Sequence, residues 1–296
     1  MKKKNYHSKE NATGWVFVTP YLLYWVILFS IPLVWAFWLS LTDWNLMALK
    51  WNWVGFGNLL KALKDENIHK VFFNGLKYLI TIVPLVCLFS LGIASVLHNL
   101  PSKFKGIFSV IFFVPFLTSG VATSVFVRYF FNYSSPLNVW LRGTFNLTVG
   151  WFTNPTVAFW VIVFVIIWKV CGYYSLFLFA SYEAISPEII EAAELDGATS
   201  KKCFWKIVMP IIASSMQSVI ILSTGLVYSI FTEPYLLTGG GPSKSTLSWQ
   251  LLLYNTSFVE FKSGYGAMIA LILGICIFIT LRIVIAISNH YVNNSN

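Results

Sequence analysis

Long apolar runs alternate with short polar breaks along the whole chain of 296 residues. A helix rising ~1.5 Å per residue needs about 20 predominantly apolar residues to cross the hydrocarbon of a bilayer. Six stretches meet that need, near residues 15–41, 76–97, 107–127, 157–180, 207–232 and 264–287. The pattern predicts an all-α integral membrane protein with six transmembrane helices. The second, third and fifth runs hold uncharged stretches that span outright, whereas Lys169 interrupts the fourth and Arg282 flanks the sixth. Pro20 and Pro32 predict bends in the first run. That run is too long for a signal-peptide core, lacks a small-residue cleavage pattern, and reads as a retained helix.

Six crossings place both termini on one side, and Lys2, Lys3, Lys4 and Lys9 argue that this side is the cytoplasm. The chain then divides into an N-terminal tail (1–14), one membrane domain (15–287) with an inner loop at 181–206, and a C-terminal tail (288–296). A first outer loop from Thr42 to Val71 is the longest polar stretch and suggests a surface helix around Asn58 to Leu63. Two more outer loops cover 132–156 and 235–263. On the inner side there is only a short turn from His98 to Gly106 besides the 181–206 loop.

Composition agrees with this layout. A chain 57% hydrophobic and only 10% charged cannot bury its apolar surface in one water-soluble core. Its net charge of +9 suits a protein facing anionic lipid, and nothing points to nucleic acid. Cys87, Cys171 and Cys276 fall in apolar runs and Cys203 in the inner loop, so they read as small hydrophobes and not as a disulfide framework. The motifs HExxH, CxxC, GxSxG and GxxxxGK[ST] are absent, so the chain shows no motif for metal, acyl or nucleotide chemistry.

Residues 191–210 read EAAELDGATSKKCFWKIVMP. Ser186 is placed to cap a helix whose first position is Pro187, and Glu188 and Glu191 lie toward its positive end. Asp196-Gly197 interrupts the pattern, and a second helix leads through Phe204 and Trp205 into the fifth run. The result is a surface hairpin with a small-residue knob at Ala192, Ala193, Gly197 and Ala198. By composition alone it equally describes an amphipathic hairpin with no partner.

Glu191, Ala192, Ala193, Asp196, Gly197, Ala198, Ile207 and Pro210 together resemble the signature by which permeases of ABC importers grip their ATPase. Ser40-Leu41-Thr42-Asp43-Trp44, Thr238-Gly239-Gly240-Gly241-Pro242 and Gly264-Tyr265-Gly266-Ala267 extend the resemblance to carbohydrate ABC importer permeases of the maltose and glycerol-phosphate type. The resemblance implies the type I ABC importer permease fold with cytoplasmic termini, in a multi-pass subunit of the cytoplasmic membrane. It implies sugar translocation by alternating access, coupled through Glu191, Ala192, Ala193, Asp196, Gly197 and Ala198. It also implies a homologous second permease, two copies of an ABC ATPase and an extracytoplasmic solute-binding protein. ATP and Mg would be bound by the ATPase, and this chain would hold no cofactor and perform no catalysis.

An ionisable residue within a span faces a cavity or a partner, and Lys169 is such a residue, beside Trp168, Tyr173, Tyr174 and Ser175. That mixture suits a sugar, and it suits ordinary helix-packing aromatics as well. Carried over from the related maltose permease, the cavity residues are Lys169, Val170, Tyr173, Ser223, Leu226, Val227 and Ile230. Val227 and Ile230 stand where that permease has amides, and Val170 where it has glycine, so maltose itself is a poor expectation. Lys169 leaves open an anionic cargo such as a sugar phosphate or uronic-acid oligosaccharide, or simply a salt bridge to another helix. Glu233 and Arg128, at the outer ends of their runs, read as snorkelling to water or as a pair. A stand-alone transporter or intramembrane enzyme is disfavoured, because the acidic residues lie in loops or at helix ends and the four histidines outside the spans.

Overall fold

The structure, a computed structural model, describes the backbone of residues 3–295 and the side chains of residues 14–289. The tail lysines Lys2, Lys3, Lys4 and Lys9 and nearly all of the 288–296 tail lie outside the described side chains. Among the described residues the chain is helical, with an isolated bridge between Thr42 and Trp53 as its extended pairing.

Four unbroken helices are long and apolar enough to cross a membrane: α1 (Gly14–Ser40), α3 (Glu66–Asn99), α7 (Pro155–Glu183) and α12 (Ser263–Asn289). Two further spans are bent pairs. The helices α4 (Ser102–Leu117) and α5 (Gly120–Phe130) meet at 90°, and α9 (Ser200–Ile211) and α10 (Ala213–Tyr228) meet at 68°. Short helices α2 (Gly57–Lys64), α6 (Pro136–Phe145), α8 (Pro187–Leu195) and α11 (Trp249–Tyr254) occupy the connections.

The six apolar runs map onto four unbroken helices and two bent pairs, so the third and fifth are not the straight rods that their composition suggests. In the third, Thr118 and Ser119 leave helical angles, with ψ of 142° and 128°. The Thr118 hydroxyl donates to Pro115 O at 2.6 Å and meets Thr123 Oγ1 at 3.0 Å, which satisfies polar groups at the break. In the fifth, Ile212 flattens to ψ 4° two residues after Pro210. The second span starts ten residues before the apolar run, at Glu66, because amphipathic residues extend the helix outward from the apolar core.

The described chain forms two compact units. The first comprises residues up to Asp65 together with Leu253–Leu273. Here two sequence motifs far apart along the chain dock on each other. Gly264 N donates to Trp44 O at 2.9 Å and Leu46 N to Phe261 O at 2.9 Å. A side chain at Gly264 would overlap the Thr42 carbonyl, so only glycine admits this approach. Asn58, buried on α2, donates to both Ser40 O and Thr42 O at 2.8 Å. Tyr265 donates to Asp65 at 2.7 Å with Lys61 over its ring. Asp43 accepts from the backbone and side chain of Asn52, which lowers its carboxyl below the usual range.

The second unit holds Glu66–Leu252 and the chain from Gly274 onward. Its axis is α7, whose buried residues run from Ala158 to Tyr182 on nearly every side. α7 packs along α3 and against α4, and α10 packs against both α3 and α7. Close approach rests on small residues. Gly172 touches the backbone of Phe112 on α4, and Ser90 on α3 donates to Cys171 O at 3.0 Å. Lys77 lies over the ring of Phe159 at 3.8 Å. The four cysteines are free, with Cys203 buried and the others half-buried.

The Thr238–Pro242 turn is tied to α3. Asn74 donates to Lys244 O and Leu247 O, and Tyr78 OH to Thr246 O. Gly239 and Gly240 take positive φ of 60° and 86°, a region that side chains disfavour. Thr238 and Thr246 hydroxyls meet at 2.7 Å and close the turn from within.

Candidate functional site

The 181–206 loop forms the hairpin that its sequence suggests, but by a partly different route. Ser186 is extended and makes no side-chain cap, so the start of α8 rests on Pro187 and the backbone bond from Ile189 N to Ser186 O. The glycine has the decisive role. Gly197 takes φ +78°, Ala198 N donates to Ala193 O and Gly197 N to Glu194 O, each at 2.9 Å. This is the double bond pattern that ends a helix on a left-handed glycine. Thr199 then caps α9 by accepting from Lys202 N at 3.4 Å.

One side of the hairpin is anchored. Ile185, Ile190, Phe204 and Met209 pack on Tyr182, Val208 and Ile212. At its base Glu183 accepts from His98 and Lys105, both at 2.8 Å, joining the ends of α3 and α7 to the start of α4. The opposite side is bare. Glu191, Ala192, Asp196 and Gly197 are exposed, Ala198 is half-buried, Ala193 is buried beneath them, and Leu195 is 89% exposed. Nothing lies within 4 Å of a side chain added at Gly197.

The second candidate region lies between α7 and the end of α10. A cavity of about 190 Å³ is lined by Lys169, Val170, Leu226, Ile230, Ser229 and Glu233, among others. Four of the seven residues expected there thus come together: Lys169, Val170, Leu226 and Ile230. The other three sit elsewhere. Tyr173 is 38% exposed and stacks on Phe116 at 4.4 Å, with Phe113 at 6.4 Å, forming an aromatic face on α4 and α7. Ser223 is buried and donates to Ile220 O at 3.1 Å, and Val227 belongs to the core.

Glu233 is the residue that the sequence did not assign to this place. The helix α10 ends at Tyr228, and the chain folds so that buried Glu233 reaches Lys169, with Oε1 at 3.5 Å from Nζ. Lys169 therefore forms the salt bridge that was one of its open readings. Arg128 pairs with neither, and its guanidinium donates to Leu236 O at 3.4 Å. Gly120, the first residue of α5, brings the break in the third span to the same point. A side chain there would lie 3.2 Å from Lys169 Nζ and 3.3 Å from Thr232.

A multi-pass helical membrane protein with a connecting hairpin anchored on one side and exposed on the other, and a charged cavity between two central helices, is the class these features define. Residues 88–294 match the family described as the binding-protein-dependent transport system inner membrane component, and the chain belongs to that family. Among relatives, it is 31% identical to the multiple sugar-binding transport system permease protein MsmF of Streptococcus mutans over 94% of this chain and 96% of that one. It is 29% identical to the lactose transport system permease protein LacF of Rhizobium radiobacter, with 89% of each chain covered. The fold is similar to that in a crystal structure of a bacterial alginate ABC transporter in complex with an alginate pentasaccharide-bound periplasmic protein. There the TM-score is 0.80 at 18% identity, over 96% of both chains. The chain has the type I ABC importer permease fold and is a multi-pass protein of the cytoplasmic membrane.

Proposed function

We infer that this chain is the permease subunit of an ATP-driven importer that moves an oligosaccharide or related polyol inward by alternating access. Its relatives named for sugar transport support the cargo class. The observation that carries the mechanism is the inner hairpin, held rigidly on one side and bare on the other. Glu194 and Asp196 lie in and just beyond the last turn of α8, where the helix dipole is negative and acidic groups are disfavoured, and Glu191 lies mid-helix. They make no ion pair among the described residues. A cationic groove on a separate ATPase would relieve that repulsion, and Gly197 leaves room for its surface.

In this account two ATPase copies bind ATP and Mg, close on each other, and carry the hairpins of this chain and of a homologous second permease. The motion passes through Tyr182 and Val208 into α7 and the α9–α10 bend. Both termini and the hairpin lie on the cytoplasmic side, and a solute-binding protein delivers cargo from the other. The cavity at Lys169 is smaller than the ~300–1,000 Å³ of a typical ligand pocket. This chain accordingly supplies one wall of the path and the second permease the other, with Tyr173 and Phe116 offering ring faces to sugar C–H groups.

Cells lacking the chain test this reading through uptake of labelled neutral oligosaccharides. Restoration by wild type, with weakened uptake for Tyr173→Ala, is the expected result. ATP-independent uptake by the purified chain alone in ion-loaded vesicles would overturn it.

A further inference from the structure

Lys169 and Glu233 are the charged groups lining the cavity, and they stand 3.5 Å apart with little exposure. Ile166, Val170, Leu226 and Ile230 surround them, so the pair sits in a poorly hydrated setting where a charge is felt strongly. One positive and one negative charge leave the wall neutral.

We propose that Glu233 sets the charge selectivity of the path: by holding Lys169 in an ion pair it tunes the cavity to uncharged, hydroxyl-bearing cargo and against uronic-acid or phosphorylated sugars. The proposal rests on the cavity lying on the transport path. An anionic cargo approaching Lys169 must displace a carboxylate already there, and then meets that carboxylate as a like charge. A neutral cargo keeps the pair intact and meets its outer lone pairs and N–H groups as hydrogen-bond partners, in a cavity that Ser229 and Thr232 also line. Gly120 fixes the geometry, since its missing side chain leaves the space that the Lys169 ammonium occupies.

The test uses the assembled transporter in nanodiscs without binding protein, so that only the membrane path is sampled, and a uronic-acid trisaccharide as the probe. Glu233→Gln leaves Lys169 unpaired and is expected to tighten uronate binding by about tenfold or more, with the gain shrinking at high salt. The doubly uncharged variant Lys169→Met/Glu233→Gln should return to wild-type affinity. Because it removes the stranded charge, it also serves as the variant that folds if the single change does not. Uronate affinity unchanged within about twofold in Glu233→Gln, below the effect of an uncompensated charge, would overturn the proposal. So would equal tightening in the double variant. The transport-path reading fails separately, if filling the cavity with Leu226→Trp leaves oligosaccharide uptake untouched.

Discussion

Replacing Gly172 with alanine probes the contact on which the second unit is built. A methyl group there would sit 2.5 Å from the Phe112 carbonyl carbon and 3.3 Å from the Phe113 nitrogen, and would overlap the Phe112 oxygen outright. Carbon atoms settle at about 3.5–4.0 Å, and backbone cannot swing aside as a side-chain tip does, so α4 and α7 must part by roughly 1 Å. A gap of that size forfeits about a quarter to a half of the dispersion at the affected contacts, and overpacking of this kind costs ~1–3 kcal/mol. We expect a loss of ~2 kcal/mol for Gly172→Ala. Gly92→Ala on α3 is the control, because nothing lies within 4 Å of its added methyl. It should be neutral or stabilising by up to ~1 kcal/mol, the helix advantage of alanine over glycine. Thermal unfolding of both variants in one detergent gives the comparison. Uptake should fall with Gly172→Ala as well, since Tyr173 stacks on the Phe116 ring of the displaced helix. Equal melting temperatures for the two variants would refute the close approach.

Asn58→Ala should destabilise the first unit by ~1–3 kcal/mol, because it strands the buried carbonyls of Ser40 and Thr42, and thermal unfolding reads the loss. Leu195→Asp, at an exposed position, should change stability by less than ~0.5 kcal/mol while lowering ATP-dependent uptake, as expected for a contact made only with a partner.

The apolar helices were legible because hydropathy reports which residues prefer lipid. The bends were not, because composition says nothing about angle: Pro115 and Pro210 were in view, yet the turns at Thr118–Ser119 and Ile212 depend on backbone angles that no apolar count contains. The hairpin was readable from local signals, a proline at the start and a glycine after the helix. The expected Ser186 cap failed because backbone bonds and Pro187 already set that terminus. Of the residues expected around the cavity, the structure brings only some together. Lys169 and Val170 on α7 line it, whereas Ser223 and Val227 face the core from within α10. The Lys169–Glu233 pair joins residues 64 apart in the chain, and only the packing of α10 against α7 brings them together.

Affinity purification of the tagged chain from its own membranes, beside Gly197→Arg, tests the central claim most directly. A Cβ at this position meets no atom within 4 Å and the surface around it is exposed, so beyond the strain of the positive φ the arginine is directed at whatever docks there. Wild type should bring an ATPase and a second permease, and Gly197→Arg should keep the permease and lose the ATPase. Recovery of the same ATPase with both forms, or of no ATPase with wild type in mild detergent, would contradict the coupling role of the hairpin.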